Sequence, residues 1–151
     1  MQLNEFLVKA KRKTYASDGE GGERVLDDGS KELSFSEQDF RYRDLYFGFN
    51  PFAGEEVVWK NNKPIWVMNY YGEVTSDVVS AKEVYYFLQK AMRRVTKDRP
   101  FRGPSKFNEG DFEYEDKNEG TIDCFSGIER ILYQGQEVYK LSYHGGRVDR
   151  R

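Results

Sequence analysis

Apolar residues recur along the chain with two periods. In FLVKAKR, Phe6, Leu7 and Ala10 form one stripe at helical spacing, with Lys9, Lys11 and Arg12 assigned to water, which predicts a helix over about 3–14. The same spacing returns in Val84, Phe87, Leu88, Ala91 and Val95 and predicts a second helix over about 80–95. Ser80 is its N-cap, with Glu83 completing a capping box, and Lys90, Arg93 and Arg94 suit its C-terminal dipole. Elsewhere the period is two. Phe40, Tyr42 and Tyr46 share a face of a strand over 39–46, and Trp66, Met68 and Tyr70 share one over 64–72. Phe112 with Tyr114, and Tyr139 with Leu141 and Tyr143, do the same later in the chain. Asn61-Asn62-Lys63 and Gln134-Gly135-Gln136 read as hairpin turns.

These blocks align on one another. FLVKAKR matches FLQKAMR at a spacing of 81 (6 to 87), and DFRYRD matches DFEYED at 72 (39 to 111). FAGEE matches FSGIE at 73 (52 to 125), and Tyr70-Tyr71-Gly72 matches Tyr143-His144-Gly145 at the same spacing. The expected fold is therefore α+β: a helix-plus-three-strand unit (αβββ) occurring twice, at about 4–74 and 80–148. It would form an antiparallel sheet with two helices on one face, related by a pseudo-two-fold within a single domain. The drop from 81 to 72 puts about nine extra residues between the first helix and its strand. That stretch, 15–38, is Gly-rich and acidic and reads as a long loop, whereas 98–110, with two prolines, reads as an ordered crossover. The last six residues read as frayed.

Composition narrows the chemistry. Aromatic residues make up 16% of the chain, so a 38% hydrophobic content suffices for a core. A net charge of −2 lacks the basic surplus of a nucleic-acid footprint. The single Cys124 excludes an internal disulfide and fits a cytoplasmic setting, and no apolar run suggests a membrane span or signal peptide. Cys124 reads as a quiet, half-buried thiol and His144 as a rim aromatic, so no catalytic residue is assigned. One His and one Cys do not make a metal site, and no metal or cofactor is expected. The segment Asp18-Gly19-Glu20-Gly21-Gly22-Glu23 lacks the lysine of a phosphate loop and reads as a flexible loop or lid.

The carboxylates carry more. Asp44 and Asp116 follow the aromatic face of matching strands, and Glu56 and Glu129 recur in the strands after them. Acids beside rings suit a pocket for a cationic or amide-bearing ligand, or else they bond backbone amides or arginines. The candidate ligand-binding residues are Asp44, Glu56, Trp59, Tyr71, Asp116, Glu129 and His144. Trp66 and Tyr70 are assigned to the core, and Trp59 and Tyr71 to the border of a groove. Arg41 and Arg43 stand where the second half has Glu113 and Glu115, which suggests that the two strands face each other with opposite charges.

The segments FLVKAKRKTYAS, FRYRDLYFG, FAGEEVVW, KPIWVMNYYG, FRGPSKF and LSYHGG resemble an uncharacterised bacterial and archaeal domain family of unknown function, over about residues 4–147. Some of its members are fused behind an Xre-type helix-turn-helix. The resemblance implies a sensory or interaction role and brings no activity or catalytic residues. The duplicated modules are also similar to effector-binding domains related to the gyrase-inhibitory protein, which hold small molecules between two halves. The leading expectation is a small-molecule-binding or sensor domain with a cleft between the repeats. The alternative is a protein-interaction or homodimerisation module, and the third is a small enzyme using carboxylates and tyrosines.

Overall fold

The computed structural model describes residues 1–14 and 22–150. Helix α1 spans Leu3–Lys13 and is followed by strands β1 (Arg24–Val25), β2 (Lys31–Glu37), β3 (Phe40–Gly48), β4 (Phe52–Lys60) and β5 (Lys63–Val74). Helix α2 (Ala81–Met92) precedes β6 (Lys106–Glu109), β7 (Phe112–Thr121), β8 (Cys124–Tyr133) and β9 (Gln136–Arg147). The strands form one antiparallel sheet in the order β1-β2-β3-β4-β5-β9-β8-β7-β6. Its centre is the β5–β9 pairing, where Tyr70 stands opposite Tyr143. No helix among the described residues is long and apolar enough to cross a membrane.

Local chemistry explains the element ends. The Glu83 amide donates to Ser80 Oγ at 3.2 Å, the N-cap bond that starts α2. At the α1 start, the Gln2 amide donates to Glu5 Oε2 at 3.3 Å. The two-residue turns Asn61-Asn62 (φ 51° and 65°) and Gln134-Gly135 (φ 51° and 79°) put both central residues in the left-handed region. That is the geometry of type I′ hairpins, whose twist matches the strands they join.

The buried face of the sheet carries Phe40, Tyr42, Val58, Trp66, Met68, Tyr114, Ile131, Tyr139, Leu141 and Tyr143. From α1, Phe6 stacks on Phe40 (4.9 Å) and Phe35 (5.8 Å). From α2, Phe87 stacks on Phe112 (4.9 Å) and Phe107 (5.5 Å). The crossover after α2 folds inward and lays Phe101 on Phe125 at 4.3 Å. Ring burial of this kind contributes most of the favourable free energy of such a core, about 25 cal/mol per Å² of apolar surface removed from water.

Several expectations are corrected. The α+β class does not describe the molecule, nor does an αβββ unit occurring twice with two helices on one face and a pseudo-two-fold. The described residues form a nine-stranded antiparallel sheet with two helices of 11 and 12 residues. The reason lies in the stretches read as loops. Residues 31–37, inside the supposed acidic loop, form β2 through the alternation of Leu33 and Phe35, and 106–109 form β6. Short polar strands near a sheet edge bury little, so their pattern is weak. The segment 18–23 lies outside the described residues except for Gly22 and Glu23. Gly146 and Arg147, expected to fray, belong to β9. Arg41 and Arg43 cannot meet Glu113 and Glu115, because four strands separate β3 from β7. The two arginines stack instead on Trp59, at 3.9 Å and 5.3 Å. Cys124 is exposed.

Candidate functional site

Beneath the helices, the sheet carries buried acids, each held by tyrosine hydroxyls. Glu56 on β4 accepts from Tyr42 Oη (2.7 Å) and from Lys11 Nζ (2.7 Å), and Lys11 also donates to the Phe101 carbonyl at 2.6 Å. Glu129 on β8 accepts from Tyr114 and from Tyr139 (2.8 Å), and from Arg102 Nη2 (2.9 Å) and Nε (3.2 Å). Asp44 on β3 accepts from Tyr70 at 2.5 Å, and Asp116 on β7 from Tyr143 at 2.8 Å and 3.1 Å on its two oxygens.

Two glycines make those last bonds possible. Gly54 stands opposite Tyr70 in the register, and Gly127 opposite Tyr143. A Cβ at Gly54 would overlap the Tyr70 hydroxyl, and one at Gly127 the Tyr143 ring. Without a side chain there, each tyrosine lies across the neighbouring strand and reaches the aspartate on the strand beyond.

Burial sets the protonation of this layer. Desolvation, then the nearby Glu56, raises Asp44 to about 7, against the hydrogen bond from Tyr70. Desolvation, then Glu129, raises Asp116 to about 7. Burial pushes the Lys11 ammonium below its usual range, opposed by Glu56. Tyr70, Tyr114, Tyr139 and Tyr143 are driven upward by burial and adjacent carboxylates, so they act as neutral hydroxyl donors.

A cavity of about 330 Å³ opens over Asp44. Its floor is Asp44 and Tyr70 on the sheet, and its walls are Tyr46, Phe52 and, from α2, Tyr85, Leu88 and Met92. Rings run continuously around it: Phe52 lies 5.9 Å from Tyr70 and 5.7 Å from Tyr85, and Phe49 5.1 Å from Tyr85. Arg102 reaches the cavity with its guanidinium 5.5 Å over the Tyr70 ring. Tyr46 donates to Glu23 at the mouth. Burial raises the Tyr85 hydroxyl to about 12, and it donates to the Phe49 carbonyl at 2.8 Å. A second hollow, about 700 Å³, lies between the α1 start and the β7–β8 turn. None of the four buried acids reaches it, so the smaller cavity holds the chemistry.

The structure brings Asp44, Glu56, Asp116 and Glu129 into one buried layer. It does not bring Trp59, Tyr71 or His144 to them. Tyr71 and His144 are each one residue along from inward-facing Tyr70 and Tyr143, and therefore point to the opposite, open face, where Tyr71 is 56% exposed. Trp59 is on that face with Arg41 and Arg43. Sequence reasoning missed Lys11, although Leu3, Leu7 and Lys11 are successive i+4 positions on the buried stripe. It placed Tyr70 in the core without its bond to Asp44. Arg102, in the crossover, carried no signal.

From Asp44 onward the sequence carries a family signature: the pattern described as Domain of unknown function (DUF5680) matches residues 44–148. It takes in the four acids, Tyr70, Arg102 and most of the cavity wall, and leaves Lys11 and α1 outside. No curated protein and no solved structure matches the chain. Since the match covers most of the sequence, the chain belongs to the DUF5680 family.

Proposed function

We propose that the chain binds a small, largely apolar molecule in the cavity over Asp44, as a ligand-binding or sensor domain. One observation carries this reading: the two buried aspartates differ in how they are satisfied. Asp116 is bonded by Tyr143 through both oxygens and has Arg99 Nη2 at 3.8 Å. Among the described residues, Tyr70 alone donates a hydrogen bond to Asp44, and the cavity opens beside it. A buried carboxyl with spare acceptor capacity, at the wall of an aromatic cavity, is the arrangement by which pockets orient a ligand: apolar area for affinity and a few polar atoms for direction. The cavity also lies between the β2–β5 strands and residues of α2 and the crossover, two parts of the chain whose relative position a ligand would tie together.

The test is native mass spectrometry of protein purified without refolding, joined to thermal-shift screening of a metabolite panel. A co-purifying molecule, or a stabilisation removed by Gln89→Trp, which places an indole at the cavity wall, supports the reading. Ligand present at one hundred times its Kd stabilises by about 2.7 kcal/mol, ample for detection. A clean apo chain that gains nothing from any compound overturns it.

A further inference from the structure

The cavity has a sign. We infer that its ligand is an organic cation, an ammonium group on an aromatic or aliphatic body, with the charged head at Asp44 and the body among Tyr46, Phe52, Tyr70 and Tyr85. This rests on the reading of that cavity as a binding site.

Among the described residues, acids outnumber bases in the buried layer beneath it, while the lining itself pairs Asp44 and Glu23 with Arg102 and Lys31. Four buried carboxyl groups, Asp44, Glu56, Asp116 and Glu129, share this layer with two buried cations, Lys11 and Arg102. Lys11 is engaged by Glu56 at 2.7 Å, and Arg102 spends two bonds on Glu129. Arg99 stands at Asp116. Among the described residues, Asp44 is the one of the four acids whose partner by hydrogen bond or ion pair is a neutral hydroxyl alone. At the mouth, Glu23 on Tyr46 adds a second carboxylate. Against it stands Lys31, whose ammonium already lies 5.6 Å over the Tyr46 ring. Arg102 acts on Asp44 through space while it is bonded to Glu129, so among the described residues Asp44 has no cation hydrogen-bonded to it; a positive head supplies that partner, and an anionic one would meet both Asp44 and Glu23.

The walls make the same choice. Ring faces carry negative charge density and attract cations by about 0.5–1 kcal/mol when exposed and about 2 or more when desolvated. Arg102 over Tyr70 shows that a cation is accommodated on these rings. A neutral apolar ligand would gain the area alone and leave the Asp44 carboxyl with Tyr70 as its hydrogen-bond donor.

Proton linkage supplies a signature. Among the described residues, the groups around Asp44 are Glu56 on β4, Tyr70 on β5, Tyr46 on β3, Lys31 on β2, Glu23 before β1, Tyr85 on α2, Arg102 in the crossover and Lys11 on α1. Asp44 is raised to about 7, so a permanent cation that binds its ionised form releases a proton near neutrality. Affinity should rise by up to about tenfold per pH unit below 7 and level off above it.

The experiment is amide NMR titration of the full chain with three probes that share a benzyl body: benzyltrimethylammonium, its neutral isostere neopentylbenzene, and the smaller anion phenylacetate. At pH 8 the cation should bind at least tenfold more tightly than the other two. That advantage should shrink at pH 6 and vanish in Asp44→Asn, an isosteric change whose fold is checked by the same spectra, while Gln89→Trp should block every probe. A preference that survives Asp44→Asn, or a neutral or anionic probe that binds as well as the cation, overturns the inference and leaves the cavity reading intact. If no probe shifts the amides around Tyr70 and Leu88, the cavity reading itself fails.

Discussion

Lys11 donates to Glu56 and to the Phe101 carbonyl from a fully buried position, tying α1, β4 and the crossover through one ammonium. Removing it would leave Glu56 charged with Tyr42 as its remaining donor among the described residues, where its second oxygen, Oε2, already has none. Breaking a buried pair by deleting one partner costs roughly 3–5 kcal/mol, because the other charge stays behind. Urea unfolding of Lys11→Met should show a loss of that order. Adding Glu56→Gln should restore part of it by removing the stranded charge. If the double variant is no more stable than Lys11→Met, the pair is not coupled in this way. At this scale the sequence was partly legible. Asp44, Glu56, Asp116 and Glu129 stood out because each recurs at a matching position, and all four are in the buried layer. Lys11 was hidden by its type, since a charged residue on an amphipathic helix is ordinarily given to water. Tyr71 and His144 were drawn in by their chemistry although strand alternation puts them on the face away from the acids.

Among the elements, β4 and β8 work by leaving room. Gly54 and Gly127 let tyrosines from β5 and β9 cross over them to Asp44 and Asp116. Adding one methyl at either position must push the ring off its aspartate, and overpacking of this kind costs about 1–3 kcal/mol. Gly54→Ala and Gly127→Ala should therefore lose similar stability in chemical denaturation. They should part in ligand binding, where only Gly54→Ala disturbs the cavity. Equal effects of the two on binding would mean that the cavity over Asp44 is not the site. The glycines were visible in FAGEE and FSGIE, but their purpose was not, because it depends on which residue sits opposite across the hairpin. The helices were legible from periodicity and caps, and both hairpins from their turns. The outlying strands β1, β2 and β6 were not, because a strand that buries one or two side chains leaves no long alternation to read.

For the molecule as a whole, the consequence is a stability that falls as pH rises through neutrality. In the unfolded chain Asp44 and Asp116 titrate near 3.8, and in the folded chain near 7. Between those values the unfolded state has given up protons that the folded state retains, so raising the pH favours unfolding. The stability carried by the protonated pair is complete below about 3.8 and is lost as the pH climbs through 7. Every tenfold difference in proton affinity between the two states is worth about 1.4 kcal/mol for each aspartate, and the loss accrues between about pH 3.8 and 7 and levels off above 7. Urea midpoints measured from pH 5 to 8.5 should decline for the natural sequence. The decline should halve in Asp44→Asn or Asp116→Asn and flatten in the double variant; an unchanged slope there would place the titration elsewhere. The two sites separate when a cation is bound. Benzyltrimethylammonium at saturation should hold Asp44 ionised in the folded state and cancel its share of the slope, leaving only that of Asp116. In Asp44→Asn the same probe should change nothing. The asymmetry between the two halves of the sheet then becomes a measurable quantity: one aspartate whose titration answers to a ligand, and one whose titration answers to the fold alone.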